Sequence, residues 1–152
     1  MRARAVVAMR GLLAAGGLCL ALAGPGNAVD AVTLAPGLYE VRVRLDLPNL
    51  TGAAASRLAT LCVLADDSAG NHGLVVLSEN NPLAHCPVAN VRQEGGVLTF
   101  DIICPGGNAA IASASYRLAP ETFEGRISIK LGGKNMTMTE TQVGRRTGQC
   151  PS

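Results

Sequence analysis

The sequence predicts an all-β protein, an antiparallel meander of about seven strands curled into an open barrel or a sandwich. Three observations carry that expectation. In the run PGLYEVRVRLDLP, residues Pro36 to Pro48, Tyr39, Val41, Val43, Leu45 and Leu47 alternate with Glu40, Arg42, Arg44 and Asp46. Successive strand side chains point to opposite faces, so this run has one apolar and one charged face, and only a second layer or a curling sheet can bury the first. Runs of the same kind recur at roughly even spacing, separated by Gly and Pro turns. Finally, four cysteines remain once the N-terminal leader is set aside, and an even number in an exported chain reads as two disulfides.

The leader is residues 1–28. Arg2, Arg4 and Arg10 form a basic start, Gly11 to Ala23 is an uncharged run rich in Ala, Leu and Gly, and small residues follow. That is the layout of a secretory signal peptide, with cleavage after Ala28 or after Ala23, and the apolar run falls short of the roughly 20 residues a membrane span needs. Cys19 lies inside it, and Gly16-Gly17-Leu18 is a poor lipidation context. A single β domain, residues 29–152, remains, with no transmembrane segment after cleavage. The three leader arginines account for the formal charge of +2; the remaining ten basic and eleven acidic side chains nearly cancel. No basic block points to nucleic acid, and four aromatics with no tryptophan give no platform for stacking bases.

In chain order, Pro36-Gly37 opens the first strand and Pro48-Asn49 ends it; Arg57 to Leu64 is the second strand, with Cys62 near its end. Ala65 to His85 is the least strand-like part: Asp66, Asp67 and Ser68 suit the cap of a helical turn, and Leu74 to Leu77 is a short strand or the buried side of a loop. Pro87 to Glu94 and Val97 to Cys104 flank Gly95-Gly96, a hairpin signal. Pro105 to Asn108 turns the chain into Ile111 to Leu118, Ala119-Pro120-Glu121 into Thr122 to Leu131, and Gly132 to Asn135 into Met136 to Val143.

The registers can be tested against the pattern. Pairing Leu118 with Phe123 sets Tyr116 opposite Gly125 and Ala114 opposite Ile127; pairing Leu131 with Met136 sets Ile129 opposite Met138. Both join apolar face to apolar face. The second also puts Glu140 on the inner face opposite Ile127, which calls for a bulge or an exposed rim. Across Gly95-Gly96, Cys86 falls opposite or diagonal to Cys104, within reach of a disulfide. Cys62 and Cys150 are then left for each other, and they meet if the first strand lies between the second and the last.

The PGLYE opening, a lone cysteine ending the next strand, the C-x17-C hairpin, YRLAPETFEGRISIKLGG and NMTMTETQVGRRTGQC occur together here. This combination resembles the bacterial exported family called domain of unknown function 3617, over Pro36 to Cys150. Tyr39 stands where such proteins more often show Trp. The resemblance implies a periplasmic or secreted, disulfide-bonded β domain and transfers no activity.

The chemistry legible in the residues is sparse. His72 and His85 lie in the loop with Asp66, Asp67 and Ser78, but neither a metal-binding His-x-x-x-His nor a Gly-x-Ser-x-Gly elbow is present. Met136 and Met138 share one strand face, and thioethers suit Cu(I), but their register makes them core. Gly106-Gly107 and Gly132-Gly133 are turn chemistry, since no helix follows them. No catalytic, cofactor or metal residues are therefore predicted. The reading is a non-enzymatic envelope module that takes an apolar small molecule at a barrel mouth or an envelope protein. The alternatives are a structural protein pairing through an edge strand, and a hydrolase or copper protein; a hydrolase requires His72 or His85 to meet a carboxylate in a cleft.

Overall fold

The computed structural model describes residues 32–47, 55–78, 80–107, 109–132 and 136–151. The leader, its cleavage sites and most of the loop after the first strand lie outside them. Seven antiparallel strands form one sheet: β1 (Gly37–Asp46), β2 (Ala55–Val63), β3 (Val88–Glu94), β4 (Val97–Ile103), β5 (Ile111–Ala119), β6 (Thr122–Leu131) and β7 (Met136–Gly148). Their order is β2-β1-β7-β6-β5-β4-β3, so β1 does lie between β2 and β7. β7 runs five residues past its expected end because its second half pairs with β1, from Val43↔Gln142 to Leu38↔Gly148.

The expected registers hold. Leu118 faces Phe123, Tyr116 faces Gly125, and Leu131 faces Met136. All four aromatics lie on the inner face and form one row: Phe100 stacks on Tyr116 at 5.7 Å, Tyr116 meets Phe123 edge-on at 5.8 Å, and Phe123 meets Tyr39 at 5.8 Å. The row has room because glycines lie beneath it. A Cβ on Gly125 would fall within the Tyr116 ring, and one on Gly144 within the Phe123 ring. Two broad rings thus lie flat on backbone, which lets a core with few aromatics use each fully.

Both disulfides form as expected. Cys62–Cys150 joins the ends of β2 and β7, with Cα atoms 5.5 Å apart, and Cys86–Cys104 joins β3 to β4 at 4.8 Å. The second depends on a bulge. Glu94↔Val97 closes a two-residue turn, which alone leaves Cys86 diagonal to Cys104; Asn90 and Val91 then oppose the single residue Phe100, and the register becomes Val88↔Ile102. Asn90 carries the bend at φ +54°, a left-handed conformation that Asn tolerates better than most residues.

The connection from β2 to β3 differs most from expectation. No helix forms at Asp66 to Ser68. Asp67 instead accepts the His72 backbone N–H at 2.6 Å, and the one helical turn among the described residues is the 3-10 helix Pro82–His85, capped by Asn81. The connection touches both edges of the sheet: a Cβ at Gly70 would contact Val91 on β3, and one at Gly73 the Cys62 carbonyl on β2. Beyond these points Leu74, Val76 and Leu83 are buried against the inner face. The segment is therefore a plug that fills the curl of the sheet.

One end of the sheet is strapped by residues 32–36. Gln93 Nε2 donates to the Val32 carbonyl at 2.7 Å, Ala35 N–H to the Pro120 carbonyl at 2.7 Å, and Tyr39 OH to the Ala35 carbonyl at 2.8 Å. Arg146 Nε, from the C-terminal motif, reaches the Pro36 carbonyl at 3.0 Å. Gly37, at φ +148°, packs too closely on the Gly148 carbonyl to admit a side chain. The opening and closing motifs of the chain thus hold each other.

Candidate functional site

Three clusters of polar side chains stand out, and the plug positions two of them. The first is buried. Glu140 and Gln142 lie two residues apart on the inner face of β7, both fully buried. Glu140 was expected at a bulge or an open rim. Its pairing with Ile127 is regular, and the plug covers it. The Leu77 N–H donates to Glu140 Oε1 at 2.8 Å and the Ser78 N–H to Oε2 at 3.0 Å, while Gln142 Nε2 donates to Oε1 at 2.6 Å and to the Val75 carbonyl at 2.7 Å. Tyr116 OH completes the network by donating to Gln142 Oε1 at 3.0 Å. Burial first, and then the Glu140 charge, push the Tyr116 phenol well above its ordinary value. A buried carboxylate needs partners, and here backbone amides supply them in place of a cation. The network fixes the plug on the inner face of β7.

The second cluster brings together residues singled out from the sequence. His72 Nδ1 lies 3.4 Å from Asp67 Oδ2, beside a pocket of about 190 Å3 that Ser68 also lines. The convergence of a histidine with a carboxylate therefore occurs. Its geometry is that of a latch. His72 Nε2 faces Gln93 Oε1 at 3.3 Å, and the Gln93 amide is oriented by its bond to the Val32 carbonyl. Both ring nitrogens are engaged, and among the described residues no hydroxyl is hydrogen-bonded to the ring, as a nucleophile would be. His85 is exposed at the end of the 3-10 helix. The two methionines divide: Met138 packs on the core, whereas Met136, expected there, is 49% exposed because β6 ends opposite it. Among the described residues no group of three or more His, Cys, Asp or Glu side chains is placed to hold a metal.

The third cluster lies on the outer face, over β3 to β6, around an open trough of about 640 Å3. Its floor is shallow because Ser113, Ser115, Ser128 and Thr99 are small. Arg92 and Arg126 flank it in one cross-strand row, Arg92↔Thr99↔Ser115↔Arg126. Three strand spacings separate them, roughly 14 Å. Among the described residues neither arginine has a carboxylate within ion-pair distance; Arg126 donates to Thr139 Oγ1 at 3.2 Å. Asp101, beside the row, is held instead by neutral donors: Asn90 Nδ2 at 2.8 Å on Oδ2 and Ser113 Oγ at 2.9 Å on Oδ1. The Asn90 bond first and the Ser113 bond second hold the Asp101 carboxyl below its ordinary value. The bulge that aligns the Cys86–Cys104 disulfide also aims Asn90 at Asp101.

The sequence alone did not single out Arg92, Arg126, Asp101 or the trough serines. The available signal was the run Ile111-Ala-Ser-Ala-Ser-Tyr116, whose outward positions are small rather than long and charged. No helix among the described residues is long and apolar enough to cross a membrane. On the inner face the plug packs Leu74, Val76 and Leu83 into the core.

The family model described as Protein of unknown function (DUF3617) matches residues 34–150. No curated protein and no solved structure matches the chain.

Proposed function

The chain belongs to the DUF3617 family, and from that premise we propose that it is an exported, non-enzymatic binding module that meets its partner on the outer face of the sheet. One observation carries the reading. The apolar face, where a barrel would hold a small apolar ligand, is packed by the chain's own Leu74, Val76 and Leu83, while the outer trough offers about 640 Å3 between two arginines that have no carboxylate within ion-pair distance among the described residues. Guanidinium groups outside ion-pair distance of any carboxylate among the described residues, beside a row of hydroxyls, suit a polar, partly anionic partner. The two disulfides support export, since such bonds persist in oxidising compartments.

Native mass spectrometry of the chain extracted from its own cell envelope tests this, together with hydrogen exchange before and after any bound species is removed. The expected result is a mature chain starting after Ala28 or Ala23, and protection by the bound species over β4 and β5 around Thr99, Ser113 and Ser115. Protection confined to Leu74 to Ser78, or to the free edge of β2, overturns the outer-face reading. A chain found in the cytoplasm with Met1 intact and free thiols overturns export.

A further inference from the structure

We infer that the trough is a subsite for a short acidic saccharide, with Arg92 and Arg126 taking its anionic groups and Asp101 with Ser113, Ser115 and Thr99 taking its hydroxyls; this rests on the outer-face reading above. A sugar ring presents vicinal hydroxyls that both donate and accept. The trough matches that with a fixed acceptor and a row of hydroxyls that can do either. Asp101 is the fixed acceptor. Asn90 and Ser113 each bond one of its oxygens, which sets the plane of the carboxylate and leaves further lone pairs for ligand O–H groups. A carboxylate tied up by an arginine would lose that freedom, and neither trough arginine pairs with Asp101.

The two guanidinium groups decide the charge. Each can fork onto a carboxylate or phosphate oxygen pair, and the backbone positions that carry them stand roughly 14 Å apart at the ends of one row. An oligomer with repeated acidic groups suits two cationic side chains rooted that far apart. Asp101 adds direction, since its charge disfavours an acidic group placed beside it and favours a hydroxyl there. A neutral sugar leaves both arginines unused, and a simple phosphate leaves the hydroxyl row unused.

The test is titration of the full, disulfide-bonded, 15N-labelled chain with trigalacturonate, maltotriose and inorganic phosphate in separate arms. Trigalacturonate is expected to shift the amides of Thr99, Asp101, Ser113 and Ser115 more strongly than either other probe. Replacing both arginines, R92A with R126A, is expected to weaken trigalacturonate by about tenfold or more. The D101N variant is expected to weaken trigalacturonate, through loss of its hydroxyl acceptor, while phosphate binds no more weakly than to the parent because a repelling charge is removed. Both substitutions lie on the exposed face, and unchanged spectra from the inner-face residues Ile127 and Ile129 would verify folding. Phosphate shifts equal to those of trigalacturonate overturn the saccharide inference and leave the outer-face reading standing. Silence of the trough toward trigalacturonate also overturns the inference, and the envelope extraction then decides the outer-face reading independently. Shifts confined to the plug, at Leu74 to Ser78, overturn both.

Discussion

Replacing Glu140 tests the plug most directly. In the native chain its carboxylate accepts three N–H groups, from Leu77, Ser78 and Gln142. The isosteric change Glu140→Gln keeps the volume. With its oxygen placed at Oε1 it still serves Leu77 and Gln142, but its amide then faces the Ser78 N–H, donor against donor. A buried donor without a partner costs about 1–3 kcal/mol, and the two surviving bonds lose their charge assistance. Relief of the buried charge works in the opposite direction. The expected net loss is about 1–3 kcal/mol for Glu140→Gln, and about 3–5 kcal/mol for Glu140→Leu, which strands all three donors. Domains of this kind have total stabilities of about 5–15 kcal/mol, so the second variant should be close to unfolding at modest denaturant. Urea unfolding followed by circular dichroism measures the global term, and hydrogen exchange at the Leu77 and Ser78 amides measures the local one. Both amides should be protected in the native chain and exchange much faster in Glu140→Gln. If both variants unfold within about 0.5 kcal/mol of the parent, as surface substitutions do, and the two amides keep their protection, Glu140 does not hold the plug.

Other expectations follow from the same contacts. Gly125→Ala puts a methyl group where the Tyr116 ring lies and should cost about 1–3 kcal/mol by overpacking, whereas Gly107→Ala, which meets open space, should leave the melting temperature nearly unchanged; thermal melts that rank the two alike would refute the ring-on-glycine account. Removing Cys62–Cys150, which spans 88 residues, should lower the urea midpoint further than removing Cys86–Cys104, which spans 18. Loop-closure entropy alone puts the difference at about 1.4 kcal/mol, and the reverse order would show that native strain dominates. Tyr116→Phe leaves Gln142 Oε1 without its donor and should cost about 1 kcal/mol in the same unfolding assay. Asp101 has a folded pKa below its unfolded one, so its contribution is present above the unfolded value and fades as acid carries the pH through the lowered one. The stability advantage of the parent over Asp101→Asn should therefore be seen at neutral pH and vanish in acid, and carboxyl NMR of Asn90→Ala should show the Asp101 pKa rising.

The hairpins were legible in the sequence because their information is local. Alternation with period two fixes which residues share a face, and Gly95-Gly96 or Ala119-Pro120-Glu121 fixes where the chain reverses, so the pairing of Tyr116 with Gly125 followed by counting. The same counting placed Glu140 on the inner face correctly. Its partners, the amides of Leu77 and Ser78, lie more than sixty residues away in a segment without periodicity, so its burial was read as a rim. His72 and Asp67 were noticed as residue types, but the side chain that completes the latch is Gln93, and glutamine carries no signal in a strand. The trough was invisible for a different reason. Outward serines beside an arginine look like any solvated face until the Asn90 bulge turns the side chain that fixes Asp101.

The strand order has a consequence for when this fold can form. β3 to β7 are successive hairpins, so their contacts close short loops and can form as the chain emerges. β1 and β2 form a hairpin of their own, but β1 finds its other neighbour only when β7 arrives, about a hundred residues later, as in Tyr39↔Arg146. A chain released N-terminus first thus waits with β1 half paired until its last strand is free. During that wait the unpaired edge of β1 and the uncovered apolar face are open to other chains. Completion is a late, single event, in which the β7 register, the seating of Glu140 on the plug and the approach of Cys150 to Cys62 all depend on Met136 to Cys150.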